Sequence, residues 1–203
     1  MKQQPPVMNI VYIHGFRSSG DSEKAWLMQR TFPLCRVLSP TLPADPSEAI
    51  RQLEELLDGL TGRTLLVGTS LGGFYALYLS CRHGYACCII NPAWKANESL
   101  ARKVGVHTRY DSEEVYDFRA EYLDRLSEMR ESIRTSRKDP GRINVFLSND
   151  DEELSFEGLE ELIPECRLLR RFDDSGHRFT RFPEILGDVG QILESLPEAG
   201  KHG

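Results

Sequence analysis

Short apolar runs alternate along the chain with longer amphipathic stretches. Residues 7–13, 35–38, 63–68, 86–90, 143–147 and 166–172 are rich in Val, Ile, Leu, Phe, Tyr and Cys, and several are almost unbroken hydrophobic runs. Unbroken runs of this length suit strands covered on both faces. Between them the period lengthens. Asp45-Pro46-Ser47-Glu48 supplies a helix cap, a proline at the first helical position and an acid at the third, and Ile50, Leu53, Leu57 and Leu60 then share one face, with Gly59 or Gly62 able to end the helix. Ile185, Val189, Ile192 and Leu196 form a similar stripe in a closing helix over about 182–196. Strand and helix patterns in alternation predict an α/β fold with a mostly parallel sheet of about six strands flanked by helices. Residues 92–141 depart from this rhythm: they are strongly charged, carry no convincing strand, and show a helical pattern only near 113–137. A βα return needs far fewer residues, so this stretch is expected to be a small helical cap inserted into one domain spanning 1–203.

Composition narrows the function. The 203 residues contain 25 Lys+Arg against 31 Asp+Glu, a net charge of −6, and 40% hydrophobic residues. Such a chain can bury a core without disulfides or metals, and it lacks the basic excess that binds a nucleic-acid backbone. There is no apolar run long enough for a membrane span, and the start, Met1-Lys2-Gln3-Gln4-Pro5-Pro6, does not resemble a signal peptide, so a soluble, cytoplasmic protein is expected, with neither nucleic acid nor membrane as partner. Residues 1–6 and 198–203 are expected to be loose tails. Cys35, Cys81, Cys87, Cys88 and Cys166 show no C-x-x-C spacing, so no metal site is expected and the cysteines are predicted to pack as small hydrophobes.

The sharpest chemical feature is Gly68-Thr69-Ser70-Leu71-Gly72, between a strand pattern and the helical run Gly73-Phe74-Tyr75-Ala76-Leu77. Small residues two before and two after a serine let the chain turn tightly from strand to helix with the hydroxyl at the apex. Ser70 is therefore the candidate nucleophile, and a helix N-terminus beside it favours developing negative charge. A serine needs a base. Of five histidines, His83 lies at the far end of the helix that Ser70 begins, His107 in the charged insertion and His202 in the tail. His177 follows the last strand and so emerges at the same sheet edge as Ser70, which makes it the candidate base.

The orienting acid is expected between these two in the chain. The strand at 143–147 runs into Ser148-Asn149-Asp150-Asp151-Glu152-Glu153 at the required edge; spacing does not separate Asp150 from Asp151, while Asp173 and Asp174 sit too close to His177 on its own loop. His14-Gly15-Phe16 follows the first strand, where a loop supplying an oxyanion hole is expected, and the backbone N–H groups of Phe16 and Leu71 are the two candidate donors. His14 serves equally well as a hydrogen-bonding side chain at a turn. His14, Gly15, Trp94, Tyr116 and Phe179 are the candidate substrate-binding residues, with Phe16 and the other aromatics as apolar lining.

These motifs resemble the α/β-hydrolase superfamily and, more narrowly, the small YqiA-like (UPF0227) esterase family. The likeness is carried by Tyr12-Ile13-His14-Gly15-Phe16, Val67-Gly68-Thr69-Ser70-Leu71-Gly72-Gly73-Phe74, Asn91-Pro92-Ala93, Asp151-Glu152 and Gly176-His177 with Phe179. It implies a minimal hydrolase fold, a serine esterase without cofactor, Ser70 as nucleophile and His177 as base. The family's Gly-Asp-Glu motif aligns with Asp150-Asp151-Glu152, which implies Asp151 as the acid; Asp150 stands where that motif has glycine and is the runner-up. The expected reaction is cleavage of a small-molecule carboxylic ester through an acyl-enzyme, in a monomer or small homo-oligomer. A thioesterase or peptidase using the same triad, and a catalytically silent binding domain, are the alternatives.

Overall fold

The structure, a computed structural model, describes residues 7–197; both predicted tails lie outside that range. A six-stranded, wholly parallel sheet is built from β1 (Met8–Ile13), β2 (Arg36–Leu38), β3 (Arg63–Thr69), β4 (Ala86–Ile90), β7 (Ile143–Ser148) and β8 (Leu168–Phe172), in the order β2-β1-β3-β4-β7-β8. The remaining strands, β5 (Gly105–Thr108) and β6 (Val115–Phe118), pair with each other as an antiparallel hairpin. The helices are α1 (Glu23–Thr31), α2 (Pro46–Asp58), α3 (Leu71–His83), α4 (Ala96–Ser99), α5 (Glu121–Thr135), α6 (Leu159–Leu162) and α7 (Leu186–Ser195). Among the described residues no helix is long and apolar enough to cross a membrane.

The unbroken apolar strands have the predicted consequence. Val11, Ile13, Leu66, Cys87, Ile89, Val145 and Leu147 face one core with α2, α3 and α5, whereas Ile10, Tyr12, Leu65, Val67, Cys88, Ile90 and Phe146 face a second core with α1 and α7. Side chains alternate across a strand, so a run apolar at every position can be buried only between two layers. Asp45 caps α2, its carboxylate accepting the Ser47 N–H at 2.7 Å, with Pro46 in the first turn. All six strands at their expected places make one open sheet, and the chain order reverses between β1 and β3: from β1 the chain goes outward to β2, then returns to β3 and moves the other way. A crevice opens at such a reversal, beyond the carboxyl ends of the strands.

Two expectations are corrected. Residues 92–141 are not purely helical, because they contain the β5–β6 hairpin, and the helix expected from 113 begins only at Glu121. The strands Gly-Val-His-Thr and Val-Tyr-Asp-Phe do alternate with period 2, but each is four residues long and the connecting residues 109–114 lack a compact turn signature, so the surrounding charge hides them. The helix α5 itself buries Leu126, Met129 and Ile133 in the core shared with α2 and α3. The closing helix likewise starts late, since Phe182–Ile185 is a 3-10 turn and the α-helix begins at Leu186.

Candidate active site

Ser70 stands at the junction of β3 and α3 with φ 53° and ψ −118°, a backbone conformation that non-glycine residues rarely adopt. Three hydrogen bonds hold it there: its N–H donates to Ile90 O at 2.9 Å, while its C=O accepts from Ala93 N at 3.0 Å and Phe74 N at 3.1 Å. The flanking glycines are required by contact. A Cβ on Gly68 would lie 2.1 Å from Gly72 O, and one on Gly72 would lie 2.0 Å from Ile13 O. Thr69 turns aside from Ser70, its hydroxyl meeting the Tyr12 hydroxyl at 2.9 Å.

The turn places Ser70 Oγ 3.2 Å from His177 Nε2. On the other side of the ring, Nδ1 lies 3.0 Å from Asp151 Oδ2 and 3.2 Å from Oδ1. The Asp151 side chain is 1% exposed and that of His177 15%. Asp151 Oδ1 also accepts the N–H groups of Glu153 at 2.9 Å and Leu154 at 2.8 Å, so the carboxylate is fixed by its own loop before it meets the imidazole. The question left open by spacing is decided by direction. Asp150 points the other way, its Oδ1 accepting from Ser148 Oγ at 2.5 Å and from the N–H groups of Ser175 at 3.1 Å and Gly176 at 3.2 Å. Those three bonds, the Ser148 hydroxyl foremost, lower the Asp150 carboxyl to about 2. Asp150 thus ties the acid loop to the histidine loop and makes no hydrogen bond to the imidazole.

Two further residues set the histidine loop, and neither was singled out for this role from the sequence. Asn91, buried at the end of β4, donates from Nδ2 to Gly176 O at 3.0 Å and His177 O at 3.3 Å, and accepts the Ser148 N–H on Oδ1 at 2.7 Å. Glu152 accepts the His177 N–H at 2.8 Å. A polar residue closing the wholly apolar run of β4 is the one signal that pointed to Asn91; nothing local distinguishes Glu152 from its acidic neighbours.

His14 is buried, and its ring bonds define its tautomer. Leu42 N–H donates to Nε2 at 3.0 Å, so the proton sits on Nδ1 and is donated to Gly15 O at 2.8 Å. Burial holds this imidazole at about 4, well below the ordinary value, so it is neutral. Of the two sequence readings, the geometry shows the turn-stabilising one. Turning the Gly15 carbonyl toward His14 sends the N–H of the same trans peptide, that of Phe16, the opposite way. Gly15 packs directly on Ser70: a Cβ there would stand 3.3 Å from Ser70 Cβ. Neither the Phe16 nor the Leu71 N–H has a hydrogen-bond partner among the described residues.

The remaining sequence candidates part company. Trp94 lines a depression of about 240 Å³ with Pro92, Ala93, Lys95, Glu153 and Leu154, next to the Ser70 turn. Tyr116 packs edge-on against Phe16 with ring centroids 5.9 Å apart, and the space they share with His14 and Gly15 is only about 20 Å³, little more than one water needs. Phe179 departs from its expected role as apolar lining: it is 1% exposed and packs against Phe172 in the α7-side core. Its backbone has φ 50°, which the Gly-His-x-Phe string does not reveal.

A serine hydroxyl, an imidazole and a carboxylate in series, beside two free amides, form an arrangement able to deprotonate an alcohol and receive an oxyanion. No cluster of His, Cys, Asp and Glu able to hold a metal occurs among the described residues. Comparison with known proteins shows the family and the fold. The family model described as Uncharacterised protein family (UPF0227) matches residues 9–193. A UPF0227 protein of Pectobacterium atrosepticum is 28% identical over 180 residues, covering 84% of this chain and 90% of its own. Among solved structures, Est1E of Butyrivibrio proteoclasticus with bound ferulic acid superposes with a TM-score of 0.69 at 14% identity, covering 95% of this chain and 91% of its own. The mouse alpha/beta hydrolase domain-containing protein 10 does so with 0.64 at 14%, covering 97% and 93%. The fold is that of the α/β hydrolases, and the chain belongs to the UPF0227 family.

Proposed function

We propose that the protein is a carboxylic-ester hydrolase working through Ser70, His177 and Asp151. The observation that carries this reading is the continuous relay from Ser70 Oγ to His177 Nε2 at 3.2 Å and from His177 Nδ1 to Asp151 Oδ2 at 3.0 Å. His177 removes the hydroxyl proton as Ser70 attacks the ester carbonyl, and Asp151 holds the tautomer that leaves Nε2 free to accept it. The N–H groups of Phe16 and Leu71 receive the oxyanion. Collapse expels the alcohol, protonated by His177, and leaves an acyl-Ser70 ester; water, deprotonated by the same imidazole, then releases the acid. The chemistry so described uses no cofactor. The depression beside Trp94 and Leu154 takes one arm of a small-molecule ester, and the tight packing around Phe16 leaves little room on the other side. The similar Est1E was solved with ferulic acid bound, a small carboxylic acid of the product class this reading requires. The test is labelling by a fluorophosphonate together with hydrolysis of a p-nitrophenyl ester series. Wild type should label and turn over, and Ser70→Ala should do neither; a folded wild type that does not label refutes the assignment.

A further inference from the structure

The hairpin β5–β6 is joined to the loop after β1 by a dense set of bonds that the catalytic scheme does not use. Three consecutive residues directly after Phe16 are held. The Arg17 N–H donates to the Tyr116 hydroxyl at 2.9 Å, and Arg17 O accepts the Tyr110 N–H at 2.7 Å. Ser18 O accepts from Arg109 Nη1 at 2.5 Å. Ser19 donates from both N and Oγ to Asp111 Oδ2, at 3.0 and 2.8 Å. Phe16 itself is clamped by the rings of His107, Tyr116 and Phe118, all edge-on with centroids 5.1–5.9 Å away.

Two features give this contact a purpose. Arg17 has φ 64°, in the left-handed region that a non-glycine side chain disfavours, so the loop has a standing tendency to relax unless it is held. Arg109 is almost completely buried, and buried charges are costly unless fully bonded. Its guanidinium meets Glu114 through Nε at 2.9 Å and Nη2 at 3.1 Å, Ser18 O through Nη1, and Leu42 O through Nη2 at 3.0 Å. Leu42 is the residue whose N–H orients His14. One guanidinium therefore joins the hairpin, the strained loop and the support of the histidine that turns the Gly15–Phe16 peptide. A lysine cannot make this fork of bonds.

We propose that the hairpin is a brace for the oxyanion loop, and that Arg109 and Tyr116 are positioning residues that hold the Phe16 N–H where the oxyanion forms. The inference rests on the reading of Phe16 as an oxyanion donor. It assigns the inserted segment a part in transition-state binding. Because the donor must meet the oxyanion and not the ground-state carbonyl, loosening the brace lowers kcat and leaves KM nearly unchanged.

The experiment compares Tyr116→Phe, Arg109→Gln and Arg109→Lys with the full-length wild type, using p-nitrophenyl ester kinetics, fluorophosphonate labelling rate and thermal melting; Val106→Ser, on the exposed face of the hairpin, is the control. Tyr116→Phe removes only the acceptor of the Arg17 N–H and should lower kcat and the labelling rate about tenfold, with KM within about twofold. Arg109→Gln should lose about 100-fold in kcat, Arg109→Lys should not restore it, and Val106→Ser should behave as wild type. Should the Arg109 variants fail to fold, Tyr116→Phe alone decides the matter. A folded Tyr116→Phe protein with kcat within twofold of wild type, or an activity loss that follows only the unfolded fraction, overturns the brace. A wild type that neither labels nor turns over overturns the esterase reading instead.

Discussion

Replacing Asp151 by Asn tests the catalytic assignment most sharply, because the structure dictates which way the amide must point. Asp151 Oδ1 accepts two backbone N–H groups, of Glu153 and Leu154, at 2.9 and 2.8 Å. An amide NH2 in that place would face two donors with nothing to accept them, so the Asn carbonyl oxygen takes the Oδ1 position. Its NH2 then occupies the Oδ2 position, 3.0 Å from His177 Nδ1. A donor facing Nδ1 selects the tautomer whose proton is on Nε2, and Nε2 is the atom that accepts the Ser70 proton in the proposed reaction. Volume and fold are unchanged, so the loss falls on chemistry: about 10⁴-fold in kcat, equivalent to about 5.5 kcal/mol of barrier, with KM little altered. Asp150→Asn keeps the acceptor for the Ser148, Ser175 and Gly176 donors and does not touch His177, so its kcat should stay within about tenfold of wild type. Stopped-flow acylation with a p-nitrophenyl ester separates the two. Equal losses in both variants, or an Asp151→Asn enzyme within tenfold of wild type, would refute the tautomer argument.

Other outcomes follow from the same geometry. Glu152→Ala frees the His177 N–H and should lower kcat about tenfold without changing the labelled residue, checked by ester kinetics and mass spectrometry of the probe adduct. His14 has an imidazole at about 4 in the folded chain against an ordinary 6.5. The unfolded chain thus binds more protons between these values, and the stabilisation present above pH 6.5 is lost as pH falls toward 4, by about 3 kcal/mol in all. Urea titrations at pH 7 and pH 4.5 should show this loss in wild type and a flatter dependence in His14→Gln; equal slopes refute the neutral buried imidazole. Gly72→Ala places a methyl group 2.0 Å from Ile13 O, where only backbone separation can relieve it. A loss of about 3 kcal/mol or more is expected, measured as a fall in Tm, and a melting point equal to wild type would refute the contact.

Much of this molecule was legible along the chain because local rules govern it. Each parallel strand is an apolar run that demands a layer on both faces, Asp45-Pro46 starts a helix by its own hydrogen bond and ring, and the glycines around Ser70 answer contacts within five residues or with the adjacent strand. These effects act over one turn or one strand pair, so sequence order carries them. The choice between Asp150 and Asp151 does not work that way. Both are carboxylates on one loop, and only the position of His177, 26 residues after Asp151, sets one against the imidazole and leaves the other a tie between loops. Asn91, Arg109 and the Tyr116 hydroxyl likewise gain their roles from backbone groups distant in the chain, and Phe179 lies in the core, packed on Phe172, a residue of another element. The sequence by itself determined the scaffold, the tight turn at Ser70 and the sheet edge at which Ser70, His177 and the acid loop gather. Tertiary structure decided which acid faces the imidazole and what holds the loop after β1, because hydrogen-bond partners are chosen by distance and direction in space, and residue spacing encodes neither.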